Sequence, residues 1–465
     1  VPPTLEASVT PGSDQTATGG GSQPESTGTL QAGPWLAFVT DQGVWASNAD
    51  GSGLTLLVSG GVTLPGGLAR AVSPGGAYIA YITTSDPKGG SENLTLSVDL
   101  TLNLVHLPDG AITEVTPLNT DETRPSPQDA PGDPSVEAYR AVLDEESMAW
   151  SPDGSRLAFM GLIDGPSSDL YVYSLADQSI KRLTSGSGQG YQPSWSPDGR
   201  WIVHAAAESF GTGAGASIAS VWAAAADGSA IKLLYEPTSS GDERFISWLG
   251  GDTLIVRSWE PGCGAYDLRA LDITTGEARQ IAAYLNEIDG VAINPRDGLI
   301  LYSLADTVAQ CQHVDAYGLF LSDLSGAVRQ VYSGNAYQVI DAPQSGRFFA
   351  RTDTSVVSVD YDGKVAETSA PGAMLPIVSP DGTQWVFTSN YETYGLWIGP
   401  VSESAPPAQV YEKAVNEAVW DASNSLVFFM NDLGLYRLDV HTLQVQAVSE
   451  DIGTDRRMGL VWVTP

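Results

Sequence analysis

The sequence predicts an all-β chain folded as a single closed β-propeller of nine four-stranded blades, with eight as the fallback count. Three observations predict it. A strand–turn–strand pattern recurs through most of the chain, a Ser-Pro-Asp-Gly turn sits inside its clearest copies, and one unpaired strand is left at each end of the array.

The clearest hairpins are AWSPDGSRLAFMG from Ala149, SWSPDGRWIVHAA from Ser194 and IVSPDGTQWVFTS from Ile377, with a weaker copy, AVSPGGAYIAYIT, from Ala71. Proline fixes φ and glycine takes the left-handed conformation, so each reads as strand, tight turn, strand. A third strand follows, as in DLYVYSLAD (169–177) and YGLWIGPV (394–401), and then a fourth, as in IKRLT (180–184). Nine second strands begin near Trp35, Ala77, Arg156, Trp201, Thr253, Leu299, Arg347, Gln384 and Leu426, at spacings of 42, 79, 45, 52, 46, 48, 37 and 42 residues. Four strands per unit with a period in the forties is the pattern of propeller blades.

The outlying spacing of 79 residues locates an insertion at 117–145, between the second and third blades, in which Ser135 to Glu145 reads as a short helix led by Asp133 and Pro134. The seventh unit, 336–369, carries APQSGR in place of the Ser-Pro-Asp-Gly turn and is the unit on which the fallback count rests. The first unit lacks a first strand, entering at PWLAFVT, while MGLVWVTP from Met458 is left over at the end. Pairing the two closes the ring and removes two exposed sheet edges.

The WSPDG hairpins at 150–154 and 195–199 resemble the TolB-type propeller repeat, a WD-repeat-like pattern, over roughly residues 34–465 as repeats. The resemblance implies a periplasmic or other extracytoplasmic propeller. Members of that family include binding scaffolds for envelope proteins and lids for enzymes. In the residues themselves the motif encodes a turn, and Asp153, Asp198 and Asp381 are expected to accept hydrogen bonds from nearby backbone N–H groups rather than to act as a catalytic set.

Composition bounds the rest. Of 465 residues, 42% are hydrophobic and 17% charged, enough for a real core. Residues 1–33 differ: they are rich in Ser, Thr, Gly and Pro, contain no basic residue, and read as a linker or stalk. The chain starts at Val1, which is read as a processed N-terminus that could carry a lipid tether. A net charge of −33 repels phosphate backbones, so nucleic acid is not expected as a partner. No run of 18 apolar residues exists, so no transmembrane helix is expected.

No G-x-S-x-G elbow is present, and His106, His204, His313 and His441 fall in different repeats. A nucleophilic triad is therefore not expected, and the chain reads as no enzyme. No metal site is assigned; Cys311, His313 and Asp315 alternate but lack further ligands, and calcium is the one cofactor that the plentiful carboxylates could serve. Cys263 and Cys311 lie just before the third strands of neighbouring blades, which makes a disulfide geometrically reasonable, worth about 4 kcal/mol in the chain-entropy account.

Loops joining second to third strands and the connections between blades emerge on one face, and these are the long ones. They bring Tyr139, Phe210, Trp259, Tyr266, Tyr317, Tyr391 and Tyr394 beside Glu137, Glu208, Glu260, Asp267, Asp315 and Glu392. Aromatics mixed with acids suit sugars or a basic peptide. The reading is a non-catalytic extracytoplasmic module that binds protein or glycan through this face. The alternatives are a structural, self-assembling subunit tethered by residues 1–33, or a propeller enzyme acting on a glycan or lactone.

Overall fold

A computed structural model describes residues 29–465 except 86–97, 127–128, 130–132, 187, 208–209, 212–214, 217–218, 237–243, 261–264, 286–289, 305–316, 324–325, 371, 390–393, 403–404, 433 and 451–458. Nine four-stranded antiparallel sheets form the blades of a ring. The second strands begin within one residue of the predicted positions, from Trp35–Thr40 in blade 1 to Leu426–Asn431 in blade 9. The seventh unit is a full blade, from Tyr337–Ala342 to Val365–Ser369. Its divergent turn is a 3-10 segment, Pro343–Ser345, ended by the left-handed Gly346 at φ 65°. The count is nine, and the fallback of eight falls away.

The ring closes as the leftover strands require. Leu460–Val463 pairs antiparallel with Trp35–Thr40, with Trp35 opposite Val463 and Leu36 opposite Trp462, and becomes the inner strand of blade 1. Successive side chains of a strand point to opposite faces, and here both faces are used. Leu36 and Phe38 pack with Phe428, Met430 and Leu460, toward blade 9. Trp35, Ala37 and Val39 pack with Val62, Ile79 and Tyr81 of blade 2. Arg437 Nη1 adds a bond to the carbonyl of Asp50, 2.8 Å away, across the same junction.

Between blades, the tryptophan that ends an inner strand reaches back to the blade before it. Trp150 Nε1 donates to the carbonyl of Ala71, Trp195 to that of Ala149 and Trp420 to that of Ile377, each at 2.9 Å; Trp248 donates to Ser194 Oγ at 3.2 Å. The Ser-Pro-Asp-Gly residues build the turn. Ser151, Ser196 and Ser379 hydroxyls donate to Asp153, Asp198 and Asp381 at 2.6 Å, and accept the N–H of Arg156, Trp201 and Gln384. The same aspartates accept the N–H two residues on, at 3.0–3.1 Å, as expected of them. A further repeated device opens the third strands. A Cβ on Gly43, Gly318 or Gly395 would lie about 2 Å from a carbonyl of the fourth strand, at Val58, Tyr332 and Tyr411, where each ladder shifts register.

Two segments depart from the blade plan. The insertion carries a helix at Pro134–Leu143 whose Ala138, Tyr139 and Val142 join the core of blades 2 to 4. In blade 2 the inner strand Val62–Thr63 is interrupted by residues 64–71, which end in a short helix, Leu68–Ala71, before Val72 bridges back to Ile79. The leading segment also ends earlier than the sequence implies. Leu30 is buried in the core of blades 1 and 2, and the N–H of Gln31 binds Asn48 Oδ1 at 2.8 Å, so Thr29–Gly33 belongs to the propeller.

Two expectations follow. Deleting 459–465 unpairs Trp35–Phe38 and exposes edges on blade 1; the shortened chain should aggregate or lose cooperative unfolding, read by light scattering and urea titration. The hydroxyl of Ser151, with the N–H and hydroxyl of Ser155, holds the Asp153 carboxyl down at about 2. Because the folded value lies below the unfolded one near 3.9, that stabilisation is present above about pH 4 and is lost as pH falls toward 2. Asp153→Asn should flatten the fall in stability across that window.

Candidate functional site

The two departures from the blade plan lie beside inner strands, near one another. The helix Pro134–Leu143 packs against the inner strand of blade 4, Gln189–Trp195. The segment 64–71 of blade 2 lies beside it: Gly66 turns at φ 70°, and a Cβ there would come 2.4 Å from the carbonyl of Glu145. Arg70 ties the two together through a 3.3 Å ion pair with Glu146.

What they leave open is a cavity of about 630 Å³ at the seam of the ring. Its walls are Leu64, Pro65 and Leu68 from blade 2, Leu143 from the end of the insertion helix, and Leu460 and Val461 from the closing strand. Two carboxylates, Glu145 and Glu417, line it. Glu417 is the first residue of blade 9's inner strand, Glu417–Trp420, and its Oε2 accepts the N–H of Leu460 at 3.2 Å. Burial holds its carboxyl above the usual range, against the pull of that hydrogen bond. Among the described residues no cation pairs with Glu417 or Glu145. A half-buried carboxylate with a raised pKa and no counter-charge, in a cavity, is the arrangement expected of a ligand-binding group.

The residues singled out from sequence divide three ways. Tyr139 does not face a ligand: it is fully buried, its hydroxyl donates to the carbonyl of Val98 at 3.3 Å, and burial pushes its pKa up to about 12. Glu137 and Asp267 are likewise buried, the first paired with Arg140 at 2.9 Å, the second with Arg269 at 3.3 Å and Gln280 at 2.6 Å. Tyr317 and Tyr394 are exposed, in equivalent positions just before the third strands of blades 6 and 8, where their carbonyls accept from Gln330 and Gln409 at 2.7 Å. Trp259 and Tyr266 are register partners in blade 5, and Phe210 opens a two-strand hairpin with Gly215–Ala216. The side chains of these three and of Glu260 lie outside the described residues, as do Tyr391, Glu208, Asp315, Glu392 and the pair Cys263 and Cys311. Among the described residues no group of three His, Cys, Asp or Glu is placed to hold a metal.

Sequence reasoning missed Glu417 and the segment 64–71. The only signal was Pro65-Gly66-Gly67, a turn placed where an inner strand should run on.

No protein-family model matches the chain. Two curated proteins match in part. The Tol-Pal system protein TolB of Alcanivorax borkumensis is 35% identical over 57 residues, 12% of this chain and 13% of that one. An uncharacterised Agrobacterium fabrum protein is 32% identical over 109 residues, 21% of this chain and 34% of that one. The chain therefore spans about a third or less of the length of these relatives. Among solved structures, a eukaryotic initiation factor superposes with a TM-score of 0.57 at 10% identity, covering 93% of this chain and 98% of that one. The dipeptidyl peptidase 4 of Porphyromonas gingivalis gives 0.53 at 13%, covering 86% and 63%. The partial match supports a resemblance to TolB, and the two solved structures show the propeller fold. One expectation is corrected: the sequence reads as no enzyme, yet a dipeptidyl peptidase carries this propeller fold, so the fold gives no ground for that reading.

Glu417 carries a stability signature. A carboxyl whose folded pKa is raised favours the protonated form in the native state, so ionisation at neutral pH opposes folding. Glu417→Gln keeps an oxygen for the N–H of Leu460 and removes the charge. Its unfolding free energy at pH 7 should equal or exceed that of the parent, with the difference vanishing as pH falls below the unfolded value near 4.3.

Proposed function

We propose that this chain is an extracytoplasmic binding propeller that takes a lysine or arginine side chain of a partner protein into the cavity at its seam. The observation that carries the reading is Glu417, a half-buried carboxylate without a cation among the described residues. The cavity suits a long basic side chain in two respects. Its apolar walls accept the methylene stem while the carboxylates meet the charged head. A net charge of −33 draws cationic partners toward it from a distance. The exposed Tyr317 and Tyr394 sit on the same strand-entry face, available to the rest of the partner. The extracytoplasmic setting rests on the partial likeness to TolB and on the Ser/Thr/Gly/Pro composition of residues 1–28. Among the described residues no helix is long and apolar enough to cross a membrane.

The test is titration calorimetry with a short Lys-rich peptide and its fully acetylated counterpart. The free-amine peptide should bind and the acetylated one should not. Removing one partner of a desolvated pair costs about 2–5 kcal/mol, so Glu417→Gln should weaken binding by well over tenfold. Affinity should also fall as pH is lowered from neutrality toward the ordinary carboxyl value of about 4.3, because the raised carboxyl of Glu417 must ionise before it holds a cation. Equal affinity of the parent and Glu417→Gln, or equal binding of the acetylated peptide, would refute the proposal.

A further inference from the structure

A second cavity, of about 380 Å³, lies between blades 3 and 4 and opens on the same face. Its position follows from the blade plan. Ser168 and Asp169 enter blade 3's third strand, Thr184 to Gly190 lead into blade 4, and His204 and Trp222 are register partners on the second and third strands of blade 4. This cleft differs in chemistry from the seam cavity. Its carboxylate is already matched: Asp169 accepts Arg182 Nη2 at 2.5 Å, Thr184 Oγ1 at 3.0 Å and Ser167 Oγ at 3.3 Å. Its one imidazole is neutral near pH 7, because burial pulls His204 down to about 4. The described lining is therefore polar, and its one carboxylate is compensated by Arg182, which is not itself part of the lining.

One group in it is unsatisfied. His204 is 3% exposed, and its Nδ1 has no hydrogen-bond partner among the described residues. A neutral imidazole offers one donor and one acceptor, and which nitrogen holds the proton is set by the partners of the other. Nothing described here fixes that choice through Nδ1, so His204 can present either role to a ligand. A hydroxyl, itself donor and acceptor, can answer both. Beside it stands the Trp222 indole, held by Nε1 donating to Ser220 Oγ at 2.7 Å. An apolar ring face next to hydroxyl and carboxylate groups suits a molecule with C–H faces and many hydroxyls.

We propose that the cleft between blades 3 and 4 binds a neutral polyhydroxylated ligand of monosaccharide size, recognised by His204 and Trp222 and framed by the Asp169–Arg182 pair. The proposal is independent of the cation reading of the seam cavity.

The test is saturation-transfer NMR and calorimetry on the full chain with free neutral hexoses and N-acetylhexosamines, and with neutral oligosaccharides ending in them. Galacturonate and glucosamine serve as charged controls. At least one neutral sugar should bind near or below about 1 mM, and the matching charged control should bind at least tenfold more weakly. Preference for the oligosaccharide over the free sugar would identify a glycan end as the source, and the reverse a free sugar. His204→Phe should weaken binding at least tenfold. Because a buried substitution can disturb folding, a second variant acts from the rim. Gly186 is exposed, and a Cβ there meets nothing within 4 Å, so Gly186→Trp can cover the opening without entering the core. It should abolish sugar binding while leaving Lys-rich peptide binding at the seam intact. Absence of binding by every neutral sugar at about 10 mM, equal binding of the charged controls, or unchanged affinity in Gly186→Trp would overturn the proposal, whatever the outcome at Glu417.

Discussion

The pairing of Leu460–Val463 with Trp35–Phe38 is the contact on which the rest depends. Every blade in the ring is buried by the blade on either side, so no blade is complete alone. An open array would end in two uncovered apolar faces as well as two free edges. The closing strand settles both at once, because the strand it pairs with sends alternate residues into the junctions with blade 9 and blade 2. The two segments that break the repeat, 64–71 and the helix Pro134–Leu143, meet near this closing strand. The seam cavity is what remains between them and the closing strand.

Within the ring, the WSPDG motif does two jobs with adjacent residues. Serine and aspartate fold the turn upon itself, and the tryptophan before them binds a backbone carbonyl of the preceding blade. Local turn geometry and blade-to-blade spacing are thus fixed by the same few residues. This explains why the motif reports architecture faithfully and chemistry hardly at all: its carboxylates are consumed by the turn, and Asp153 is held near 2 for that reason.

The same distinction governs what could be read without coordinates. Strand starts were legible because a half-buried or fully buried strand demands apolar β-branched and aromatic residues, and a turn demands Pro and Gly. The seam was legible because an unpaired strand at Trp35 and another at Trp462 have one economical arrangement. The site was less legible. Tyr139 and Glu137 were assigned to a ligand-facing insertion, whereas that insertion folds back and buries them; composition cannot say which way a short helix turns its apolar side until its neighbours are known. Glu417 is one acid among 55 Asp and Glu residues, at the head of an ordinary inner strand, and only its depth and its lack of a described cation distinguish it.

Glu417 also connects the site to the closure. Its carboxylate accepts the N–H of Leu460, so the group that lines the cavity touches the strand that completes the ring. Burying an unmatched carboxylate costs stability, and the cost falls on the junction of blades 9 and 1. A cation in the cavity would compensate that charge in place, and any ligand that binds only the folded state adds its binding free energy to folding. Occupancy of the seam cavity would then tighten the junction on which the ring's integrity rests. The cleft between blades 3 and 4 has no such link, since its carboxylate is already paired with Arg182 and it touches no strand of the seam.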